Sequence, residues 1–282
     1  MTRRARVRSA LLACACVCAA CACARPSALD RAQALVRGHR EIEAAGVLRE
    51  RLQARPDDMA ARRLLVRVLA AAGQLPAARD EVAEMARRLP PGDPSPYIEL
   101  GHALELSHRF DEALAAYDEA AAVAPRSPDG AREGGMRSAR WGEAEAARPR
   151  LEEAVRRGAH DADTWHALGL VRVHLGDLDG AADAYRAAAA ADAAGVEGWL
   201  GLATVAVVRG DAAAALDAYD HVLERRPRSA AAQLGRAWAL SALGRGAEAS
   251  RALDAAEQLG APPANVARQR ARLAALADAG DD

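Results

Sequence analysis

Lysine is absent from this chain of 282 residues, so all 38 basic residues are arginine, and they face 39 acidic residues for a net charge of -1. The arginines are interspersed with acidic residues and do not form the basic block that is typical of nucleic-acid-binding proteins. Aromatic residues make up only 3% of the sequence, but hydrophobic residues make up 51%, which is enough to fill a core. Disorder of the whole chain is therefore excluded, and nucleic acid is not an expected partner.

Cysteine is missing from the whole chain after position 23. The five cysteines lie within ten residues, at Cys14, Cys16, Cys18, Cys21 and Cys23. A disulfide framework or a structural zinc site needs cysteines that are spread through the fold. We therefore expect a fold without disulfides, structural metal or any other cofactor.

No apolar run in the sequence is long enough to cross a membrane unaided. The longest uncharged stretch, residues 10–24, falls short of the ~20 residues that a spanning helix needs. Four arginines precede it, at positions 3, 4, 6 and 8, and Arg25 ends it. A positive segment followed by a short apolar segment is the layout of an export signal. The sequence predicts a signal peptide over residues 1–20 and a linker over residues 21–27.

The segment from Val17 to Cys21 resembles a bacterial lipobox, in which small residues precede a cysteine that receives diacylglycerol. This resemblance implies lipidation of Cys21 and attachment to a membrane through the lipid. Cys23 is a second candidate, and Ala22-Cys23-Ala24 is also an ordinary cleavage site that would release a soluble protein. Because Ala22 is not the aspartate that favours inner-membrane retention, the expected location is the outer membrane, facing the periplasm. The alternative is a soluble periplasmic protein.

Residues recur along the chain with a fixed period of 34. Four glycines keep this spacing, at Gly142, Gly176, Gly210 and Gly244. Aromatic residues keep it in two further registers, at Tyr117, Tyr185 and Tyr219 and at Tyr97, Trp165 and Trp199. A constant period of this length indicates a repeat protein.

These residues resemble the tetratricopeptide repeat (TPR) family, whose 34-residue unit is a helix-turn-helix with a W-x2-L-G-x2-Y, A-x3-F and P pattern. The resemblance implies an all-α fold, a right-handed superhelical solenoid of repeats with a C-terminal capping helix. It is strongest at 94–127, 162–195 and 196–229. The predicted repeats are a degenerate one at 28–58 and then 59–93, 94–127, 128–161, 162–195, 196–229 and 230–263, and residues 264–282 form the capping helix and tail.

The repeat 128–161 departs from the helical pattern. Gly134 and Gly135 fall inside its first predicted helix and Pro149 falls inside its second. Glycine costs about 1 kcal/mol and proline about 3 kcal/mol in a helix interior. We therefore expect this repeat to be the least stable of the set.

No arrangement of residues indicates catalysis. The sequence has no H-E-x-x-H, G-x-G-x-x-G or Walker motif, and His166 and His174 are too far apart on one helix to share a metal. An active site needs a convergent nucleophile, acid–base pair or metal. We therefore predict that the protein is not an enzyme.

The first helix of each repeat has a face that is not used against the second helix, and successive faces form a groove. The residues predicted to line it are Ile98, His102, Met136, His166, Leu170, Val173, His174, Leu200, Thr204, Val207 and Trp238. The C-terminal part of this set is apolar, and contiguous apolar surface is typical of a partner site. A protein or peptide segment is the expected ligand, unless the capping helix fills that part of the groove. The lysines and asparagines with which some TPR proteins hold acidic tails are missing, since the one asparagine is Asn265.

The predicted function is a non-catalytic scaffold for protein–protein interaction, exported and lipid-anchored. By resemblance to other bacterial TPR lipoproteins, it would assist assembly of an envelope complex such as a pilus or a secretion system. The alternative is a soluble periplasmic adaptor or chaperone-like protein in envelope biogenesis.

Overall fold

The computed structural model of the chain describes residues 26–278, which form fifteen helices and no strand. The helices are α1 (Ala28–Arg37), α2 (Glu41–Ala54), α3 (Met59–Ala71), α4 (Leu75–Arg88), α5 (Ser95–Leu106), α6 (Phe110–Val123), α7 (Asp129–Arg140), α8 (Ala144–Arg156), α9 (Ala162–His174), α10 (Leu178–Ala191), α11 (Glu197–Arg209), α12 (Ala212–Arg225), α13 (Ala230–Ala242), α14 (Gly246–Gln258) and α15 (Pro263–Asp278). Odd-numbered helices up to α13 are the first helices of helix pairs, and α15 follows the last pair. The all-α repeat fold predicted from the sequence is confirmed.

Helix starts follow from short polar side chains that accept hydrogen bonds from free backbone N–H groups. Ser27 and Asp30 form a reciprocal capping box before α1. At four further helices an aspartate side chain accepts one backbone N–H, at Asp58, Asp161, Asp177 and Asp211, and Ser229 does so before α13. The sequence therefore sets where these helices begin.

Each of the seven first helices is followed by one residue with a positive φ. These residues are His39, Gly73, His108, Gly142, Gly176, Gly210 and Gly244. At Gly176 the φ is 77°, and the next N–H, of Asp177, donates to the carbonyl of Arg172 at 2.9 Å. The glycines that recur every 34 residues are therefore explained by the positive φ that the turn after each first helix needs. Histidine meets the same requirement twice, although a left-handed conformation costs a residue with a Cβ roughly 1–2 kcal/mol.

The described chain forms two compact units, one ending at Ala113 and one beginning at Leu114 within α6. In the first unit, the core consists of fully buried large side chains, among them Leu48, Leu65, Met85 and Leu100. Arg62 is only 5% exposed, and its charge is compensated by Glu81 and by a 2.9 Å hydrogen bond to the carbonyl of Pro56. A buried charge needs such partners because its desolvation is costly.

In the second unit, each helix pair places a large side chain against small residues of its neighbours. Tyr117, Leu151 and Tyr185 are buried at this position in successive repeats. A Cβ at Gly201 would lie 2.2 Å from Cδ1 of Tyr185, a distance that real atoms do not reach. Close approach of the helices therefore requires a residue without a side chain at this point.

The two glycines of the repeat 128–161 serve the same close packing. Gly134 and Gly135 are both buried in α7, and a Cβ at Gly135 would lie 2.8 Å from Cγ and 3.0 Å from the backbone N of Leu151. Pro149 lies inside α8 on its exposed side. The interpretation of these glycines as helix-weakening residues alone was incomplete, because the packing of α7 on α8 also depends on them.

Gly135→Ala and Gly46→Ala make a matched pair of substitutions in helix interiors. A Cβ at Gly46, in α2, would meet no atom within 4 Å. We expect Gly46→Ala to raise the free energy of unfolding by about 0.5–1 kcal/mol, since alanine restricts the unfolded chain. We expect Gly135→Ala to lower it by about 1–3 kcal/mol through overpacking against Leu151. Urea unfolding measures both values, and a gain at position 135 would show that only helix propensity acts there.

Candidate binding surface on the first helices

Two first helices of the second unit, α9 and α11, each present one exposed large apolar side chain, the predicted groove residue Leu170 and Val208, which follows the predicted Val207. Leu170 is 40% exposed on α9 and Val208 is 59% exposed on α11. His174 lies four residues after Leu170, and Thr204 lies four residues before Val208, so each pair shares one side of its helix. We call these four residues the α9–α11 patch. The helices α9 and α11 are in direct contact, so the patch extends across both.

One side-chain polar atom of His174 and the hydroxyl of Thr204 are bonded within their own helices. The Nδ1 atom of His174 lies 3.0 Å from the carbonyl of Leu170, and Thr204 Oγ1 donates to the carbonyl of Leu200 at 2.9 Å. These contacts leave the aliphatic groups of Leu170 and Val208 as the main exposed features. The patch therefore offers apolar contact area and no acid–base pair.

Four other predicted groove residues of the second unit are half-buried and pack towards the core. They are Met136, Val173, Leu200 and Val207, and each contacts a cluster of buried alanine, valine, leucine or tyrosine side chains. Because core contacts hold these side chains in place, they form the floor of the surface rather than its exposed part.

His166 is also half-buried, and its ring lies 5.6 Å from the ring of Tyr185 with a tilt of 49°. Burial raises the pKa of Tyr185 to about 12, so its phenol stays protonated at neutral pH. The two rings pack against each other.

Trp238 is the predicted groove residue nearest the capping helix α15. The guanidinium carbon of Arg272, on α15, lies 5.6 Å from the centre of the Trp238 ring, a cation–π arrangement. Leu234, one turn earlier on α13, packs against a cluster that includes Val266 of α15. The sequence left open whether the capping helix fills the C-terminal part of the groove, and at Trp238 the structure places that helix against it.

In the first unit, Ile98 and His102 are half-buried on α5. The most exposed apolar residue on that helix is Leu106, at 75% exposure, which the sequence analysis did not select. Its position could have been found from the period, because Leu106 stands in the same register as His174 and Val208. Arg67, which precedes this region, forms an ion pair with Glu99 at 2.8 Å.

An ion pair fixes the first helices α7 and α9 to each other. Arg132 on α7 donates to the two carboxylate oxygens of Asp161 at 3.2 and 3.3 Å, and Asp161 also accepts from the Thr164 hydroxyl at 2.7 Å. Desolvation raises the pKa of the Asp161 carboxyl, but the hydrogen bonds from Arg132 and Thr164 outweigh it and bring the pKa to about 2. The carboxylate therefore stays charged and holds α7 against the start of α9.

Residues 26–278 contain neither a metal-binding cluster nor a membrane-spanning helix. No group of three or more histidine, cysteine, aspartate or glutamate side chains in this range is placed to hold a metal ion. Within the same range, no helix combines the length and apolarity needed to cross a membrane. Cys21, the predicted lipidation site, lies outside the described residues.

The stacked helix pairs define this protein as a helical repeat protein of the all-α class. Residues 29–94, 140–196 and 200–266 match the tetratricopeptide repeat family, and together they cover more than half of the chain. The chain belongs to the tetratricopeptide repeat family, as its 34-residue period predicted.

Several solved structures share this fold. YrrB, a TPR protein reported to have an unusual peptide-binding site, has a TM-score of 0.59 and 20% identity over 67% of this chain and 97% of its own. The C-terminal part of a TPR protein from Cytophaga hutchinsonii has a TM-score of 0.62 and 14% identity, over 85% and 98% of the two chains. MamA has a TM-score of 0.56 and 20% identity, over 59% and 91%. At these identities the likeness shows the fold alone, and no curated protein sequence matches this chain.

Replacing Asp161 by asparagine tests the ion pair through its pH dependence. The folded pKa of about 2 lies below the ordinary value of 3.8, so the carboxylate stabilises the fold above pH 3.8 and loses this effect as the pH falls towards 2. Asparagine still caps a helix, and the pair is partly exposed, so we expect a loss of no more than about 1 kcal/mol at pH 7. Urea unfolding at several pH values should show the two proteins converging near pH 2. A difference that is unchanged there would argue against a charge effect.

Proposed function

We propose that this protein is a non-catalytic TPR scaffold that binds a protein or peptide segment on the α9–α11 patch. The observation that carries this proposal is the exposure of Leu170 and Val208 on adjoining first helices. Apolar side chains gain about 25 cal/mol for each Å² removed from water, so a partner that covers both gains affinity. An amphipathic helix or an extended segment with apolar anchors fits such a surface.

Two further observations support this proposal. Nδ1 of His174 and Oγ1 of Thr204 already contact carbonyls of their own helices, so a partner that covers the patch leaves few polar groups unpaired. YrrB, which shares the fold, is reported to have a peptide-binding site. The step from that protein to this one is an analogy between folds, and the exposed residues of the α9–α11 patch are what make it specific to this chain.

We further propose that the scaffold is exported and attached to the outer membrane through a lipid on Cys21, where it assists assembly of an envelope complex such as a pilus or secretion system. The arginine-rich start, the short apolar stretch and the lipobox-like segment up to Cys21 support export and lipidation. Cleavage after Ala24 would instead give a soluble periplasmic adaptor or chaperone-like protein.

The double variant Leu170→Asp with Val208→Asp tests the α9–α11 patch as a partner site. Proteins that co-purify with the chain from its own cells would be identified first, and their recovery measured by quantitative mass spectrometry. We expect at least about a tenfold loss of the partner, since two charges would be buried without compensation. Because both sites are exposed, the free energy of unfolding should change by no more than about 0.5 kcal/mol for each.

Ile42→Asp is the matched control, because Ile42 is 72% exposed but lies on α2, a second helix of the first unit. It introduces one aspartate, where the double variant introduces two, at an exposed apolar residue outside the α9–α11 patch, and it should leave partner recovery unchanged. Equal losses in the control and the double variant would contradict a specific role of the α9–α11 patch.

Mass spectrometry of the mature N-terminus tests the proposed anchor. We expect a diacylglyceryl group on Cys21, and we expect Cys21→Ser to release the protein from the membrane fraction. A mature chain that begins with a free Arg25 would support the soluble alternative. An unprocessed Met1 would contradict both forms of export.

A further inference from the structure

A cleft opens on the side of the second unit that is formed by second helices, away from the α9–α11 patch. It lies between α10 and α12, its floor is α11, and its volume is about 520 Å³. This volume is within the ~300–1,000 Å³ of typical ligand pockets. Alanines line both walls, at Ala182, Ala189 and Ala190 on α10 and at Ala214 and Ala218 on α12. Leu202, Val205 and Ala206 form an apolar floor, and the Trp199 ring forms one end.

The 34-residue period explains why this cleft is open. The floor residue Ala206 stands in the register of Leu104, Ser138, Arg172 and Leu240. One repeat earlier, Arg172 occupies the corresponding space and bonds to the carbonyl of Gly180 at 2.9 Å and to Glu152 at 3.0 Å. One repeat later, Leu240 is fully buried there. Ala206 has a much shorter side chain than Arg172 and Leu240, and it lines the open cleft.

The charges around the cleft are unevenly compensated. Arg186 and Arg209, which line it, each form an ion pair with a neighbouring aspartate, Asp183 and Asp179 respectively. The two lining aspartates belong to the α12 side and have no arginine partner among the described residues. Asp211 accepts a hydrogen bond from the N–H of Ala214, and Asp217 lies 4.0 Å from His221. The α12 side therefore carries two carboxylates without an arginine partner beside an apolar floor.

The residues that line the cleft also favour a helical over an extended conformation for a segment that binds there. The backbone groups of α10 and α12 are already bonded within their own helices, and the alanine methyl groups offer no hydrogen bonds. An extended segment would bury its own N–H and C=O groups without partners, whereas a helix satisfies them internally. The small residues on both walls leave room for large side chains of a third helix.

We propose that the cleft between α10 and α12 is a second docking surface, and that it binds a cationic amphipathic helix of a partner protein. The large apolar side chains of that helix enter the space above Ala206. Its lysine or arginine side chains lie along α12, next to Asp211 and Asp217. This surface is separate from the α9–α11 patch, and binding to it does not depend on the function proposed above.

The probe is a short synthetic helix with a leucine stripe and lysine flanks, compared with the same helix carrying glutamate flanks. Titration into the full chain is followed by tryptophan fluorescence, since Trp199 lines the cleft. We expect the lysine helix to bind at least about tenfold more tightly at low salt, with the preference shrinking as salt screens the charges. Trp199→Phe should remove the fluorescence change but leave binding measurable by calorimetry.

Two variants fill the cleft from different sides. Ala206→Leu places in its floor the residue that positions 104 and 240 already carry, and Ala190→Leu fills it from an exposed position on α10. Each should weaken the lysine helix at least about tenfold. Because Ala190 is exposed, its variant keeps the test valid if Ala206→Leu proves overpacked, which thermal unfolding would reveal.

Asp217→Arg tests the charge, and Leu170→Asp is the control on the other surface. Asp217→Arg should reduce or reverse the preference for lysine over glutamate flanks, whereas Leu170→Asp should leave it unchanged. Equal affinity for the two helices, no binding of either, or binding that Leu170→Asp abolishes and Ala190→Leu does not would each overturn the proposal.

Discussion

Close approach between neighbouring helices is the constraint on which the rest of this structure depends. The tyrosine rings of the second unit fill the space between repeats only because the facing helices carry glycine. A side chain at Gly235 would place its Cβ 2.1 Å from Cζ of Tyr219, as one at Gly201 would do with Tyr185. Protein interiors are as densely packed as organic crystals, so no space remains for an additional carbon atom at these contacts. Glycine in these helices is therefore a packing requirement that outweighs its poor helix propensity.

Ion pairs between specific residues also hold particular helices together. Arg150 donates to both oxygens of Asp118 at 2.8 and 2.6 Å and joins α8 to α6, while Arg132 joins α7 to Asp161 at the start of α9. A guanidinium group suits both contacts because its planar donors match a carboxylate. The absence of lysine means that every such contact in this chain uses arginine.

The two candidate surfaces arise from different features of the same repeat. The α9–α11 patch consists of side chains that the packing does not use, and its apolar members are exposed at register positions that the period identifies. The cleft between α10 and α12 is lined mainly by small residues, and Ala206 stands there in the register of the larger Arg172 and Leu240. A repeat protein can hold both because each helix pair contacts only its neighbours, so one unit can vary without altering distant ones.

The sequence by itself determined the helices, the turns and the family. Capping residues such as Asp161 and Asp177 act within three residues of their own position, and the glycine period marks turns that need a positive φ, so both are local and can be read from one chain. The two histidines at this turn, His39 and His108, were not foreseen because a positive φ is uncommon for any residue with a Cβ, even though histidine adopts it more often than most. The period could still have identified them.

Only the tertiary structure decided how open each surface is. Trp238 was predicted as a groove residue, but Arg272 covers its ring, and 34 residues separate the two in the sequence. The cleft above Ala206 depends on the side-chain volumes of residues from three helices. These volumes cannot be combined from any single stretch of the sequence, because the sequence does not show which residues meet. Burial and empty space depend on how well the side chains of residues distant along the chain fit together. Only folding brings those residues into contact.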